Sequence, residues 1–481
     1  MRIALVVDHP QRDLPGLVLV AGRLCEAGAT CYLVPLDLQG RELTALAPDL
    51  VLLNYLRRNN QALAGSLQSA GVRVAVLDTE GGVMETPEVY ERTMATDPEV
   101  RARVVRLLTW GPRLAAEAGD RGWYPAERIR VTGGPRFDFY CEPWREVPRS
   151  RPSGADRIPE PRVLFTPSYS FLSPRFGSLE EEVRGLERLG YDPGFLRRRV
   201  EIERRGLDAF VELAEGLSAG LPEVHFVLRP HPFERAETYR ERLPERPNLH
   251  VDQEGTLDGW LVRSRALIQS SCTSAVEGAL AGVPVLTPAW IPVWRRVEVL
   301  ERAAVACESP EELRARLEGV LSGTGAGTPD EAAACRAAVF EWFFESDGEA
   351  HRRVADALLD SADGAPGPDR RRCRRLHYRP PGPARRAASR LAAGAKEALG
   401  LPVSWSLRRL AATDPAARWD ASAKAFHAPA VEALIASIAA AAPEADPWSR
   451  GADLLSVRAA RRPDDYSVPI DGGRAVVLAP R

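Results

Sequence analysis

The chain has 481 residues, of which 64 are Lys or Arg and 66 are Asp or Glu, giving a formal net charge of −2. That length exceeds what a single hydrophobic core usually organises and predicts two or three domains. The hydrophobic (45%) and charged (27%) fractions are those of a globular protein, and the balanced charge excludes a globally basic nucleic-acid binder.

Residues 1–145 alternate strand and helix patterns, which predicts a parallel sheet. Strands are expected at Ile3–Val7, Cys31–Val34, Leu50–Leu53, Val72–Leu77, Val105–Leu108 and Ile129–Val131, with helices such as Leu17–Glu26 and Gln61–Ala70 between them. The turn after the first strand, Asp8-His9-Pro10, lacks a GxGxxG fingerprint, so dinucleotide binding has no support. Pro143–Pro161, rich in Pro, Arg and Ser, reads as a linker.

A second α/β unit is expected over 160–345. It begins at Val163-Leu164-Phe165 and includes a helix at Leu207–Leu217. Further strands are expected at Val224–Leu228, Ala266–Gln269 and Val283–Leu286. Residues 346–481 read as an Arg/Pro/Ala-rich helical extension. Helices are expected at Glu349–Leu359, Arg385–Leu399 and within 412–442, where Phe426, Val431, Leu434 and Ile438 share one face. Gly364–Pro383 reads as irregular, and the last thirty or so residues show little pattern.

The seven cysteines, at 25, 31, 141, 272, 307, 335 and 373, form no CxxC pair. Such a dispersed odd set fits a reducing compartment better than a disulfide framework and implies no metal site. Nothing at the N-terminus resembles a signal peptide, and no apolar stretch approaches the ~20 residues that span a bilayer. A cytoplasmic protein is expected, without cofactor or metal. Lys396 and Lys424 are the only lysines. This reads mainly as coding bias, so an argument from arginine's bidentate contacts applies only position by position. Arg370–Arg375 and the Arg385–Lys396 segment make a basic patch with two readings, a solvated face or a peripheral contact with anionic lipid headgroups. Sparse aromatic residues there argue against nucleic acid.

Four strand ends carry chemistry. Val224–Leu228 leads into Arg229-Pro230-His231-Pro232, and Ala266–Gln269 leads into Ser270-Ser271-Cys272-Thr273-Ser274-Ala275-Val276-Glu277-Gly278. Ligands of open α/β sheets collect at the carboxyl ends of strands, and helix N-termini attract phosphate, so this pair predicts a nucleotide mono- or diphosphate site. His231 and Arg229 can serve a departing phosphate, and Ser270, Ser271, Thr273 and Ser274 offer hydroxyls. Glu277 can accept from ribose hydroxyls, although Ser274-x-x-Glu277 is also a capping box. Asp78-Thr79-Glu80-Gly81-Gly82 places a carboxylate at a strand end, either as a general base or as the solvated part of an Asp/Gly turn. Thr132-Gly133-Gly134-Pro135-Arg136-Phe137-Asp138 offers Asp138 as nucleophile or charge stabiliser, or else simply enters the linker. Trp110-Gly111-Pro112 reads as a structural turn.

In this order the motifs DTEGG (78–82), WG (110–111), GGPRFD (133–138), RPHP (229–232) and QSSCTSAVEG (269–278) resemble the bacterial surface-carbohydrate biosynthesis proteins related to GT-B Kdo transferases. The resemblance spans residues 1 to about 345 and implies an α/β, GT-B-like fold, with two Rossmann-type doubly wound domains facing a cleft. It implies a glycosyltransferase using a nucleotide-sugar donor, CMP-linked as in CMP-Kdo, and a glycan or lipid-linked glycan acceptor. Arg229, His231, Ser270, Ser271, Thr273, Ser274 and Glu277 form the implied donor site. Glu80, Asp138 and His231 are the implied catalytic groups, and Asp78, Gly81, Gly82 and Arg136 line the acceptor side. The family often has Asn where this chain has Gly134, which leaves the acceptor contacts open. Alternatives are a CDP-polyol phosphotransferase, a sugar-nucleotide epimerase of GT-B fold, and a non-catalytic scaffold of a glycan-export assembly.

Overall fold

The computed structural model describes residues 1–84, 86–94, 97–175, 177–188, 192–361, 367–376, 425–460, 465 and 475–481. They form two compact units, Met1–Val147 with Glu341–Arg481, and Pro148–Phe340. The first unit opens with β1 (Arg2–Val7), β2 (Thr30–Pro35), β3 (Leu50–Leu53), β4 (Arg73–Leu77), β5 (Arg106–Thr109) and β6 (Ile129–Val131), within a residue or two of their expected positions. All six pair in parallel. The sequences of β1, β3 and β4 are nearly continuous runs of Val, Leu, Ile and Ala, and all their residues but Arg2 and Arg73 are buried, as strands covered on both faces require. β1 lies between β2 and β3, with Ile3 opposite both Cys31 and Leu50. The chain therefore reverses its direction of travel across the sheet at β1/β3. That reversal leaves a crevice at the carboxyl ends of the two strands.

The second unit repeats the plan with β7 (Arg162–Thr166), β8 (His225–Leu228), β9 (Leu249–Val251), β10 (Ala266–Gln269), β11 (Val285–Pro288) and β12 (Val305–Cys307). The order is β12-β11-β10-β7-β8-β9, all parallel, and the reversal falls between β7 and β10. Both edges of this sheet, β9 and β12, are three-residue strands without a distinct hydropathy signal. Pro193–Gly220 is a single helix, much longer than the expected Leu207–Leu217. Asp192 caps it by accepting from Phe195 N at 2.7 Å. Its first half is Arg-rich and buries little beyond Leu196 and Glu203, whereas Leu207, Phe210, Val211, Ala214 and Leu217 pack into the core beside Phe165 and Phe226.

The C-terminal segment builds onto the first unit. The helix Ala350–Asp360 packs on Leu14–Glu26, and Ala428–Ala441 buries Val431, Leu434, Ile435 and Ile438. Trp448 sits against Gly22, where an added Cβ would lie 2.0 Å from the indole. The segment is more than helical: β13 (Leu455–Ala459) and β14 (Val476–Pro480) form an antiparallel pair, and β14 runs antiparallel to β2. The sheet order becomes β13-β14-β2-β1-β3-β4-β5-β6. Arg370–Leu376 is a helix, whereas the rest of the expected basic patch, Lys396 and the Arg385–Leu399 helix lie outside the described residues. No described helix is long and apolar enough to cross a membrane.

Candidate functional site

In the second unit, β10, β7 and β8 are neighbours, so three sequence-distant turns meet at one sheet edge. These are Thr166–Ser170, Arg229–Pro232 and Ser270–Ser274. A buried carboxyl ties two of them together. Glu234 accepts from Tyr239 Oη at 2.8 Å and from the Tyr169 amide, and burial pushes its pKa up to about 7. Gln253 holds the same turn, donating to the carbonyls of His231 and Glu234 at 2.9 Å each. His231 is half-buried with its ring stacked on Phe233, and its Nδ1 accepts from Phe233 N at 3.3 Å. A neutral imidazole so held carries its proton on Nε2. The Arg229 guanidinium donates to the carbonyls of Glu254 (2.8 Å) and Gly255 (2.6 Å), which fixes the loop after β9.

Ser270 is buried and hydrogen-bonded to Tyr169 Oη at 3.1 Å. Ser271 adopts a left-handed backbone (φ +47°), uncommon for a side chain other than Gly or Asn, and its hydroxyl donates to Arg295 O at 2.9 Å. The expected capping box does not form. Ser274 lies inside the helix Ser274–Leu280, where its hydroxyl is committed to Thr166 Oγ1 at 2.6 Å, and the exposed Thr273 takes the cap position without a side-chain bond. Glu277, one turn in, is half-buried. A polar recess opens beside the Ser270–Ser271 turn. Arg199 and Glu203, absent from the expected site, line it. Glu203 is 5% exposed, accepts from Arg199 Nε at 2.7 Å on Oε1, and has no partner for Oε2 among the described residues. Burial raises its pKa despite the neighbouring guanidinium. Nothing in the helical pattern around Glu203 distinguished it from a solvated Glu.

The first unit has its own crevice at the β1/β3 reversal, a small, mainly apolar recess. Arg12 organises the rim through ion pairs with Asp13 (3.0 Å), Asp8 (3.1 Å) and Glu80 (3.4 Å). Burial opposes ionisation of Asp13, but Arg12 and Arg136 outweigh it and hold its carboxyl below the ordinary range. The guanidinium of Arg136 lies over Trp110 (4.7 Å) and Phe137 (4.6 Å), 3.7 Å from Asp13. Asp78 is buried and accepts from Glu80 N at 2.8 Å, and desolvation pushes its pKa up to about 6. Glu80 remains accessible, with 41% of its side chain exposed.

Gly81 (φ +59°) and Gly82 (φ +77°) turn the chain tightly against Trp110 and Leu114. A Cβ on Gly81 would lie 1.9 Å from Trp110, and one on Gly82 would lie 2.9 Å from Leu114. Their role is close approach. Gly134 is similar, since a Cβ there would meet Phe137 at 2.9 Å and the Trp110 indole nitrogen at 3.0 Å, leaving no room for Asn. The structure brings Asp78, Glu80 and Arg136 together but not Asp138. That carboxylate is 3% exposed and turns away, accepting from Ala350 N (3.0 Å), His351 N (2.8 Å) and His351 Nδ1 (2.9 Å). It caps the helix Ala350–Asp360.

No protein-family model matches the sequence, and no curated protein matches it. Solved structures do. A Listeria monocytogenes protein assigned as a UDP-N-acetylglucosamine 2-epimerase aligns at 12% identity over 76% of this chain and 98% of its own, with a TM-score of 0.50. The Neisseria meningitidis UDP-GlcNAc 2-epimerase aligns at 13% identity over 75% and 100%, with a TM-score of 0.46. The wall teichoic acid polymerase TagF aligns at 11% identity over 65% and 72%, with a TM-score of 0.39. None of these three is a Kdo transferase. At such identities the likeness bears on architecture alone, and with two Rossmann-type sheets this chain has the GT-B fold.

Proposed function

We propose that the protein is a glycosyltransferase of bacterial surface-polysaccharide biosynthesis, moving a sugar from a CMP-activated donor to a glycan or lipid-linked glycan acceptor. The observation that carries this reading is the convergence of the Thr166–Ser170, Arg229–Pro232 and Ser270–Ser274 turns on the carboxyl edge of β10-β7-β8, beside a polar recess at the strand-order reversal. Phosphorylated ligands gather at such edges. The preference for CMP rests on the likeness of the motifs to Kdo transferases.

In this reading the Ser270–Ser271 turn, Thr273 and Glu277 hold the nucleotide. His231 donates a hydrogen bond from its Nε2–H to the leaving phosphate and keeps its proton, and Arg229 shapes the adjoining loop while contributing fixed positive charge. Ser274 stabilises the site through Thr166. Glu80, accessible and oriented by Arg12, takes the proton of the acceptor hydroxyl. Asp78, Gly81, Gly82 and Arg136 shape the acceptor side. Asp138 supports the same unit from behind by capping a helix.

The test is calorimetric titration of CMP, CDP, UDP and ADP into the wild type and His231→Ala. Selective CMP binding, weakened about tenfold or more by loss of one phosphate hydrogen bond, supports the reading. A CDP preference points instead to polyol-phosphate transfer. UDP binding with turnover of a UDP-sugar in the absence of acceptor points to an epimerase. No nucleotide binding leaves the scaffold reading.

A further inference from the structure

The crevice of the first unit contains a polar group that the proposed chemistry leaves unused. Asn54 follows β3 at the strand-order reversal, lines the recess, and is 3% exposed. Neither its Oδ1 nor its Nδ2 has a partner among the described residues. Its backbone is held in place, the carbonyl accepting from Thr79 N at 2.9 Å. Burying an amide with both halves unmet is unfavourable, so a group that meets both at once gains more here than it would at a solvated site.

The surroundings restrict what that group is. The walls beside Asn54 are apolar, formed by Val6, Leu17, Leu52, Leu53 and Leu77. The charges around it offset one another: Arg12, Arg57 and Arg136 act among Asp8, Asp13, Asp78 and Glu80. With no excess of positive charge, the recess does not favour a carboxylate or phosphate. A matching ligand is uncharged, carries a hydrogen-bond donor beside an acceptor, and presents an apolar face. A neutral sugar ring has all three, as a hydroxyl pair or an acylamino group beside its C–H face.

We infer that this recess is a subsite for a neutral sugar of the acceptor, and that Asn54 is its specificity-determining residue, selecting against acidic sugars. The inference rests on the glycosyltransferase reading for the word acceptor, but the binding event can be measured without it.

The experiment is saturation-transfer NMR with methyl β-D-glucoside, N-acetyl-D-glucosamine and D-glucuronate on the full chain, comparing the wild type, Asn54→Leu and Asn54→Asp, together with thermal melts. The expected result is transfer to one or both neutral sugars and not to glucuronate, lost in both variants. Asn54→Leu should also melt about 1–3 °C higher, because it removes an unmet buried amide at similar volume. Asn54→Asp keeps the volume and decides the matter if the Leu variant does not fold. Three results overturn the inference: no transfer to either neutral sugar in the wild type, neutral-sugar binding that survives both substitutions, or glucuronate bound as well as the neutral sugars. A Leu variant that folds but melts lower than the wild type also overturns it, since the amide is then a structural requirement. Nucleotide binding without sugar binding removes this inference alone. Sugar binding through Asn54 without nucleotide binding removes the transferase reading and leaves the subsite.

Discussion

Asp138→Ala separates architecture from catalysis at the GGPRFD motif. The carboxylate accepts three hydrogen bonds, two from the first-turn amides of Ala350 and His351 and one from His351 Nδ1, at 2.8–3.0 Å. It also places a negative group at the N-terminus of Ala350–Asp360, which packs on Leu14–Glu26. A hydrogen bond to an ionised acceptor contributes about 1.5–3 kcal/mol, and partial relaxation around the truncated side chain offsets some of the loss, so the expected destabilisation is about 3–5 kcal/mol. At about 2 °C per kcal/mol for a unit of this size, the melting transition of the first unit falls by about 6–10 °C. Urea and thermal unfolding followed by circular dichroism measure it, alongside nucleotide titration, which is expected to stay unchanged because the donor turns lie in the other unit. A variant with wild-type stability that has nevertheless lost transfer would refute the capping role and return Asp138 to the reacting centre.

Asp78 carries a pH signature. Its folded pKa of about 6 lies above the ordinary 3.8, so between those values the folded chain keeps a proton that the unfolded chain has released. Stability therefore falls as pH rises from about 4 to 6, and Asp78→Asn is expected to remove that slope and add up to about 3 kcal/mol at pH 8. Urea midpoints across that range measure it, and an unchanged slope counts against burial as the cause. Gly81→Ala forces a Cβ to within 1.9 Å of Trp110 at a positive φ, an expected cost of about 2–4 kcal/mol that a wild-type urea midpoint would contradict.

Much of the fold is legible in the residues. The apolar runs of β1, β3, β4, β7, β8 and β10 are long and distinct enough to place strands within a residue or two, and alternation with helices dictates parallel sheets. β9 and β12 are three-residue edges without a hydropathy signal, and β13 and β14 flank residues of little pattern. The last pair becomes a sheet extension only because β14 finds the free edge of β2, a long-range pairing with no local trace. The helix Pro193–Gly220 was expected only where its apolar face is dense, since the Arg-rich half contributes few core residues.

The candidate site divides along the same line. Motif chemistry at strand ends already identifies RPHP, the Ser-rich turn and DTEGG as the places to look, because a strand's carboxyl end is a local property of the chain. Which side chains face the ligand is a tertiary property. Strand order decided it: by placing β10 and β8 on either side of β7, and β3 beside β1, the topology put Glu203 and Asn54 at crevices. The helix Ala350–Asp360, 212 residues further along the chain, took Asp138 for its cap. A carboxylate has the same composition whether it serves a substrate or a helix, and its role is set by the donors that the fold brings within 3 Å of it.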